Sequence, residues 1–66
     1  MNKLAPHQER VVVERDELQT KIVALDKFIK SDTIKIVDGL EQLRLIAQLD
    51  AMNTYLKILN DRIAAF

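Results

Sequence analysis

The C-terminal part of the chain carries apolar residues at helical spacing on two opposite sides. One series alternates steps of four and three, the heptad-type pattern of a helix that packs along a seam. This inner series consists of Leu45, Leu49, Met52, Leu56, Leu59, Ile63 and Phe66. The second, on roughly the opposite side, consists of Leu40, Leu43, Ala47, Ala51, Thr54 and Ile58. Because a helix with two apolar faces needs two neighbours, we predict a helix over about 40–65 that lies between its own chain and a second chain.

The N-terminal part of the chain predicts one neighbour for that helix, over about 6–30. Pro6 suits a first helical turn, where its missing N–H would have no partner in any case. At about 100° per residue, five apolar residues fall on one narrow stripe. They are Val11, Leu18, Ile22, Leu25 and Ile29. The two helices should pack together as a hairpin within a single domain, 1–66.

The segment between the two helices reads T-I-K-I-V over 33–37, and four of its five residues are β-branched. Such residues favour a pleated strand over a helix, and Asp38-Gly39 is a turn signal. We therefore predict a short strand, with a loop or one more helical turn as the alternative. A lone strand has unpaired edges, so it should pair antiparallel with the same strand of a second copy across a two-fold axis. The expected fold is mainly α, a helix–short strand–helix hairpin assembled as an intertwined homodimer.

The length of the chain also favours self-association. A fold of 66 residues buries only about 60% of its unfolded surface, and small folds are usually stabilised by disulfides, metals or oligomerisation. The chain has no cysteine, so oligomerisation remains. The predicted dimer interface consists of Ile34, Ile36, Leu40, Leu43, Ala47, Ala51 and Ile58.

The charge of the chain is balanced, with ten basic and ten acidic residues. A duplex DNA binder normally has a basic excess, so nucleic acid is a weak alternative as a partner. It would rest on a loose basic strip of Lys21, Lys27, Lys30 and Lys35. No apolar run approaches the roughly 20 residues of a membrane span or resembles a signal peptide. We therefore expect a soluble, cytoplasmic protein.

The residues that carry enzyme chemistry are mostly absent. There is no cysteine, His7 is the single histidine, and the single glycine cannot form a phosphate-binding loop. The carboxylates Glu14, Asp16 and Glu17 alternate with basic residues, as on a solvated helix face. We expect no catalytic residue, no metal site, no cofactor and no enzymatic activity.

Protein–protein interaction is the class of function that remains. An apolar groove left over after dimerisation could accept an amphipathic helix of a partner. The candidate groove residues, for each of which core packing is the alternative, are Val12, Val13, Phe28, Tyr55 and Phe66.

Two stretches of the sequence resemble a family of very short tailed-phage proteins. They read P-H-Q-E-R-V-V-V-E-R-D-E-L with L-D-K-F-I, and Q-L-D-A-M-N-T-Y-L-K-I-L-N-D-R-I. The resemblance is closer to small early proteins of the exo–xis region of lambda-type temperate phages, including Shiga-toxin phages. T-I-K-I-V departs from many relatives in the broader family. The resemblance implies a dimeric early regulator that promotes lytic development in the host bacterial cytoplasm by binding a host or phage protein, without catalytic residues.

A second function fits a small helical oligomer of a phage. Such a protein could block host defence, either by binding an immune protein or by sequestering a signalling nucleotide. Sequestering a nucleotide requires cationic groups that converge at a subunit boundary, and the candidates are Arg44 and Arg62.

Overall fold

A computed structural model describes residues 3–66, which form two long helices packed as an antiparallel hairpin. Helix α1 spans Pro6–Ile29, a short 3-10 helix spans Asp32–Ile36, and helix α2 spans Gly39–Ala64. The prediction of a mainly helical fold is confirmed. The predicted helices, about 6–30 and about 40–65, correspond to α1 and α2.

A hydrogen bond between a side chain and the backbone lies at each end of helix α1. Pro6 occupies its first position, and the Ala5 N–H donates to Gln8 Oε1 at 2.9 Å. After Ile29 the Ser31 hydroxyl donates to the Phe28 carbonyl at 2.6 Å. Serine favours helix ends because its hydroxyl offers the backbone such an alternative partner, and this bond accompanies the end of α1.

The prediction of a strand between the helices is wrong. The segment Asp32–Ile36 is a 3-10 helix, and residues 3–66 contain no strand. Strand-to-strand pairing across a two-fold axis is therefore excluded as the basis of a dimer. The preference of β-branched residues for strands reflects packing on a pleated surface, and this segment has no neighbouring strand in its chain. It closes its hydrogen bonds locally instead, with Val37 N–H donating to the Ile34 carbonyl at 3.1 Å.

The side chain of Gln42 holds the connection against the start of α2. Its amide nitrogen donates to the carbonyl oxygens of Ile34 and Val37, both at 2.8 Å. Asp38, predicted as part of a turn, is the N-cap of α2. Its carboxylate accepts from the N–H groups of Leu40 at 3.1 Å and Glu41 at 3.4 Å. Such a cap satisfies donors that the first helical turn would otherwise leave without partners.

The core lies along the contact between the two helices and is thin. Within residues 3–66, Val11, Leu18 and Leu59 are the buried residues, and Leu59 is 0% exposed. The partly buried residues packed against them are Ile22, Met52, Leu56 and Ile63. All seven belong to the α1 stripe and the inner series of α2, so the two helices bury the faces that their periodicity marks as apolar.

The hairpin is a rod. Its extents are 50 × 16 × 14 Å and its radius of gyration is 15.3 Å, whereas a compact domain of this length has a radius of gyration of about 11 Å. A single layer of two helices leaves the sides of both helices that point away from each other without cover.

Candidate functional site

The outer face of α2, the series Leu40, Leu43, Ala47, Ala51, Thr54 and Ile58, is exposed along its whole length. Leu40 is 66%, Leu43 63% and Ile58 52% exposed. Single apolar residues on a surface are ordinary, but a contiguous row of them marks an interaction site. The face points away from α1, because the inner series of the same helix makes the core.

The two edges of the outer face differ in charge. Counting about 100° per residue around the helix, Arg44, Tyr55 and Arg62 share one edge, which we call the cationic edge. The other edge, which we call the mixed edge, carries Asp50, Lys57 and Asp61. All six side chains belong to exposed residues.

On the cationic edge, the two guanidinium groups differ in their partners. Arg44 Nε donates to Glu41 Oε1 at 2.7 Å, which offsets part of its charge. Arg62 makes no ion pair with any other residue in 3–66. The two arginines are 18 positions apart, so they are separated by roughly 27 Å along the helix axis. One chain therefore cannot bring both guanidinium groups to one small ligand.

The predicted interface residues fall into two groups. Leu40, Leu43, Ala47, Ala51 and Ile58 lie together on the outer face of α2. Their role in a dimer stays a prediction. The other two, Ile34 and Ile36, belong to the 3-10 helix: Ile34 is half-buried, and Ile36 is 86% exposed. They were predicted as partners in a strand pairing, and with the strand corrected that arrangement no longer applies to them.

The residues predicted to form a partner groove do not meet in one place. Phe28 lies near the connection, whereas Phe66 lies near the opposite end of the 50 Å rod. Tyr55 lies between those levels on α2, Val12 is half-buried on α1, and Val13 is exposed. An antiparallel hairpin places the end of α1 beside the start of α2, so one chain spreads these residues along the rod. Their role as a partner groove in a dimer stays a prediction.

The residues 3–66 hold no group of three or more His, Cys, Asp and Glu side chains that could bind a metal ion. A hollow of about 400 Å³ lies against α1, lined by Asp16, Gln19, Thr20 and Val23, and is open to solvent. Its one hydroxyl, on Thr20, donates to the Asp16 carbonyl at 3.1 Å. Neither helix within this range is long and apolar enough to cross a membrane.

Sequence reasoning missed two features of the surface. Arg15 Nη1 donates to Asn60 Oδ1 at 3.0 Å and joins the two helices beside the core. Aligning the apolar stripe of α1 with the inner series of α2 in antiparallel orientation could have found this contact, because Arg15 and Asn60 both lie beside the apolar contact between the helices. Ile46, which belongs to neither series of α2, is also exposed; its isolated position gave no periodic signal.

The fold and its surface define a short helical hairpin with an open apolar face. The chain belongs to the Sequestin family, whose profile matches residues 5–65. It is 42% identical over 60 residues to the uncharacterized 7.5 kDa protein in the denB–rIIB intergenic region of Enterobacteria phage T4, which covers 91% of this chain and 94% of that relative. No solved structure matches the chain. The prediction of a small phage protein is confirmed, whereas the closer likeness to proteins of the exo–xis region is not shown by these comparisons.

Proposed function

We propose that this protein is a non-enzymatic phage accessory protein that sequesters a ligand in the cytoplasm of the host bacterium. It binds the ligand in a fixed ratio and withholds it, without converting it. The observation that carries this proposal is the open outer face of α2 with its cationic edge. The description of the family, Sequestin, supports the same activity.

The ligand class proposed is a small anionic signalling molecule with a planar base, such as a signalling nucleotide. Guanidinium groups bind phosphate through paired hydrogen bonds, and Arg44 and Arg62 supply two of them. A base can stack on an aromatic ring for about 1–3 kcal/mol, and the ring of Tyr55 lies on the same edge of α2. The balanced net charge of the chain fits recognition of a small ligand better than of a long nucleic acid.

The proposed site requires a second copy of the chain. Because the two arginines of one chain lie far apart along α2, converging cationic groups must come from two subunits. The second copy also covers the outer face, which a homodimer buries and a monomer leaves in water. Withholding a host defence signal favours lytic growth of the phage, and this gives the predicted role in lytic development a mechanism.

Calorimetric titration with a panel of cyclic and linear nucleotides tests this proposal. We expect saturable binding by the wild type and at least a tenfold loss of affinity in Arg62→Gln and Arg44→Gln, because each removes a phosphate-binding group. Lys21→Gln, a charge removal on exposed α1, is the matched control and should bind as the wild type does. Nucleotide recovered after denaturing the complex should be unchanged. Absence of binding across the panel would sink the proposed ligand class, and recovery of a product would sink the non-enzymatic role.

A host or phage protein is the second candidate ligand. Leu40 and Leu43, each more than 60% exposed, lie three residues apart at the start of α2, which is the spacing of anchors in helix-to-helix recognition. For this candidate, a purified protein partner should bind the wild type and Arg62→Gln equally and should lose affinity for Leu43→Lys. Loss of binding in Arg62→Gln favours the nucleotide, whereas Leu43→Lys does not separate the two candidates, because Leu43 also lies on the face that the proposed second copy covers.

A further inference from the structure

We infer that α2 pairs with α2 of a second copy in antiparallel orientation, with the two-fold axis passing between the levels of residues 52 and 53. The inference rests on the self-association in the proposed function and specifies its register. The outer faces of the two helices then pack on each other, and the two α1 helices lie on the outside of a four-helix assembly.

The surface of the single chain is large enough to supply such an interface. Its accessible surface is 5261 Å², whereas a compact monomer of this length exposes about 4,300 Å². The difference is about 1,000 Å², close to the roughly 800 Å² that each partner buries in a stable interface of standard size. An additional layer of helices against the rod would remove an area of this order.

The sizes of the side chains on the outer face select the antiparallel orientation and this register. Leu40 then lies opposite the partner's Ala65, and Ile58 lies opposite the partner's Ala47. These two large side chains meet small ones, which allows the helices to approach closely at those levels, whereas Leu43 lies at the level of the partner's Arg62. A parallel pair in register would place Leu40 on the partner's Leu40 and Ala47 on the partner's Ala47. Large side chains would then meet at the start of the two helices, and small side chains would leave a gap near their middle. Antiparallel helices also have opposed dipoles, which is electrostatically favourable.

The charges on the mixed edge favour the same register. In an antiparallel pair, each edge faces the same edge of the other helix. On the mixed edge, Asp50 comes within two residues of the level of the partner's Lys57, and symmetry makes this attractive pair twice. On the cationic edge, Arg44 comes within one residue of the level of the partner's Arg62, a like-charge pair that repels unless an anion lies between the two guanidinium groups. The guanidinium groups that are separated along one chain therefore meet at the subunit boundary, as the proposed ligand requires.

Engineered cysteines test this register, because the chain has no cysteine of its own. In Ala51→Cys, the two thiols are offset by three residues across the axis, roughly 4.5 Å along it, so a disulfide can form. In Leu40→Cys, the two thiols are roughly 37 Å apart along the axis and should stay reduced. A mixture of Leu40→Cys chains with mass-tagged Ala65→Cys chains should form the mixed disulfide, whereas each variant alone should not.

The expected result is a cross-linked dimer for Ala51→Cys and for the mixture, at micromolar concentration and without added ligand. Self-cross-linking of Leu40→Cys would indicate a parallel pair and overturn the inference. A monomeric Ala51→Cys that remains helical by circular dichroism would overturn it as well. Since no ligand is present, cross-linking tests the register alone. A cross-linked dimer that ignores every nucleotide contradicts the proposed function and leaves the register standing.

Discussion

The inner and outer faces of α2 are both apolar and both at helical spacing, yet their environments are opposite. On the inner face, Leu59 is completely buried against α1, whereas its neighbour in sequence, Ile58, is 52% exposed on the outer face. Hydrophobic spacing shows that a face needs cover, but it does not show which element provides the cover. The single chain contains one cover, α1, for a helix with two faces that require it.

The largest difference between the inner and outer faces is expected in the free energy of unfolding when Leu59 is truncated. Leu59→Ala should lower the free energy of unfolding by about 2–5 kcal/mol, because it leaves a cavity between the helices. Ile58→Ala is the matched control, since it removes a similar volume one position away on the outer face. In urea titrations at low protein concentration, the control should lose about 1 kcal/mol or less. Equal losses for both variants would contradict the distinction between the faces.

A charge on the outer face should act on assembly and leave the hairpin folded. Ala47→Glu or Ala51→Glu would bury carboxylates in the proposed contact, where an unpaired charge is costly. We expect a loss of dimer affinity of about a hundredfold or more, equivalent to about 2.7 kcal/mol, with helix content by circular dichroism unchanged. Sedimentation at micromolar concentration measures the effect. Ala24→Glu, on an exposed position of α1, should leave the assembly intact, and unchanged dimers in the Ala47 and Ala51 variants would argue against this role of the outer face.

The sequence predicted the helices and the inner seam because both depend on periodicity within one chain. The residues that fill the core, such as Leu18 and Leu59, were recognisable from their spacing alone. The connection was not predictable in this way. T-I-K-I-V has strand propensity, but its conformation follows the hydrogen bonds from Gln42, a residue that belongs to the next helix. The distance between Phe28 and Phe66 along the rod was likewise not predictable from helical spacing, which shows only the side of a helix on which a residue lies.

The side chain of Gln42 joins the start of α2 to the connection that precedes it. Gln42→Ala removes two hydrogen bonds to main-chain carbonyls of the connection, each worth about 1 kcal/mol, so the free energy of unfolding should fall by about 1–2 kcal/mol. Gln48→Ala is the matched control, because the Gln48 amide makes only a long 3.8 Å contact to the Met52 sulfur. Chemical denaturation of both variants measures the difference. If the control loses as much as Gln42→Ala, the two hydrogen bonds of Gln42 have no special role in the connection.

The smallest effect on the free energy of unfolding is expected from a substitution at Asp38, the N-cap of α2. This substitution should affect the start of the outer face more than the buried inner face. Asp38→Ala should cost about 1 kcal/mol, because the N–H groups at the start of α2 lose their carboxylate acceptor. The first turn that this frays carries Leu40 of the outer face, with Leu43 just beyond it, whereas the buried part of the inner face begins further along the helix. Amide exchange should therefore quicken in the first turn of α2 and stay unchanged around Leu59. Asp38→Asn keeps a capping oxygen and should restore most of the protection. Faster exchange throughout α2 in Asp38→Ala would contradict this prediction. It would mean that the loss of the cap destabilises the whole helix, including the part buried around Leu59.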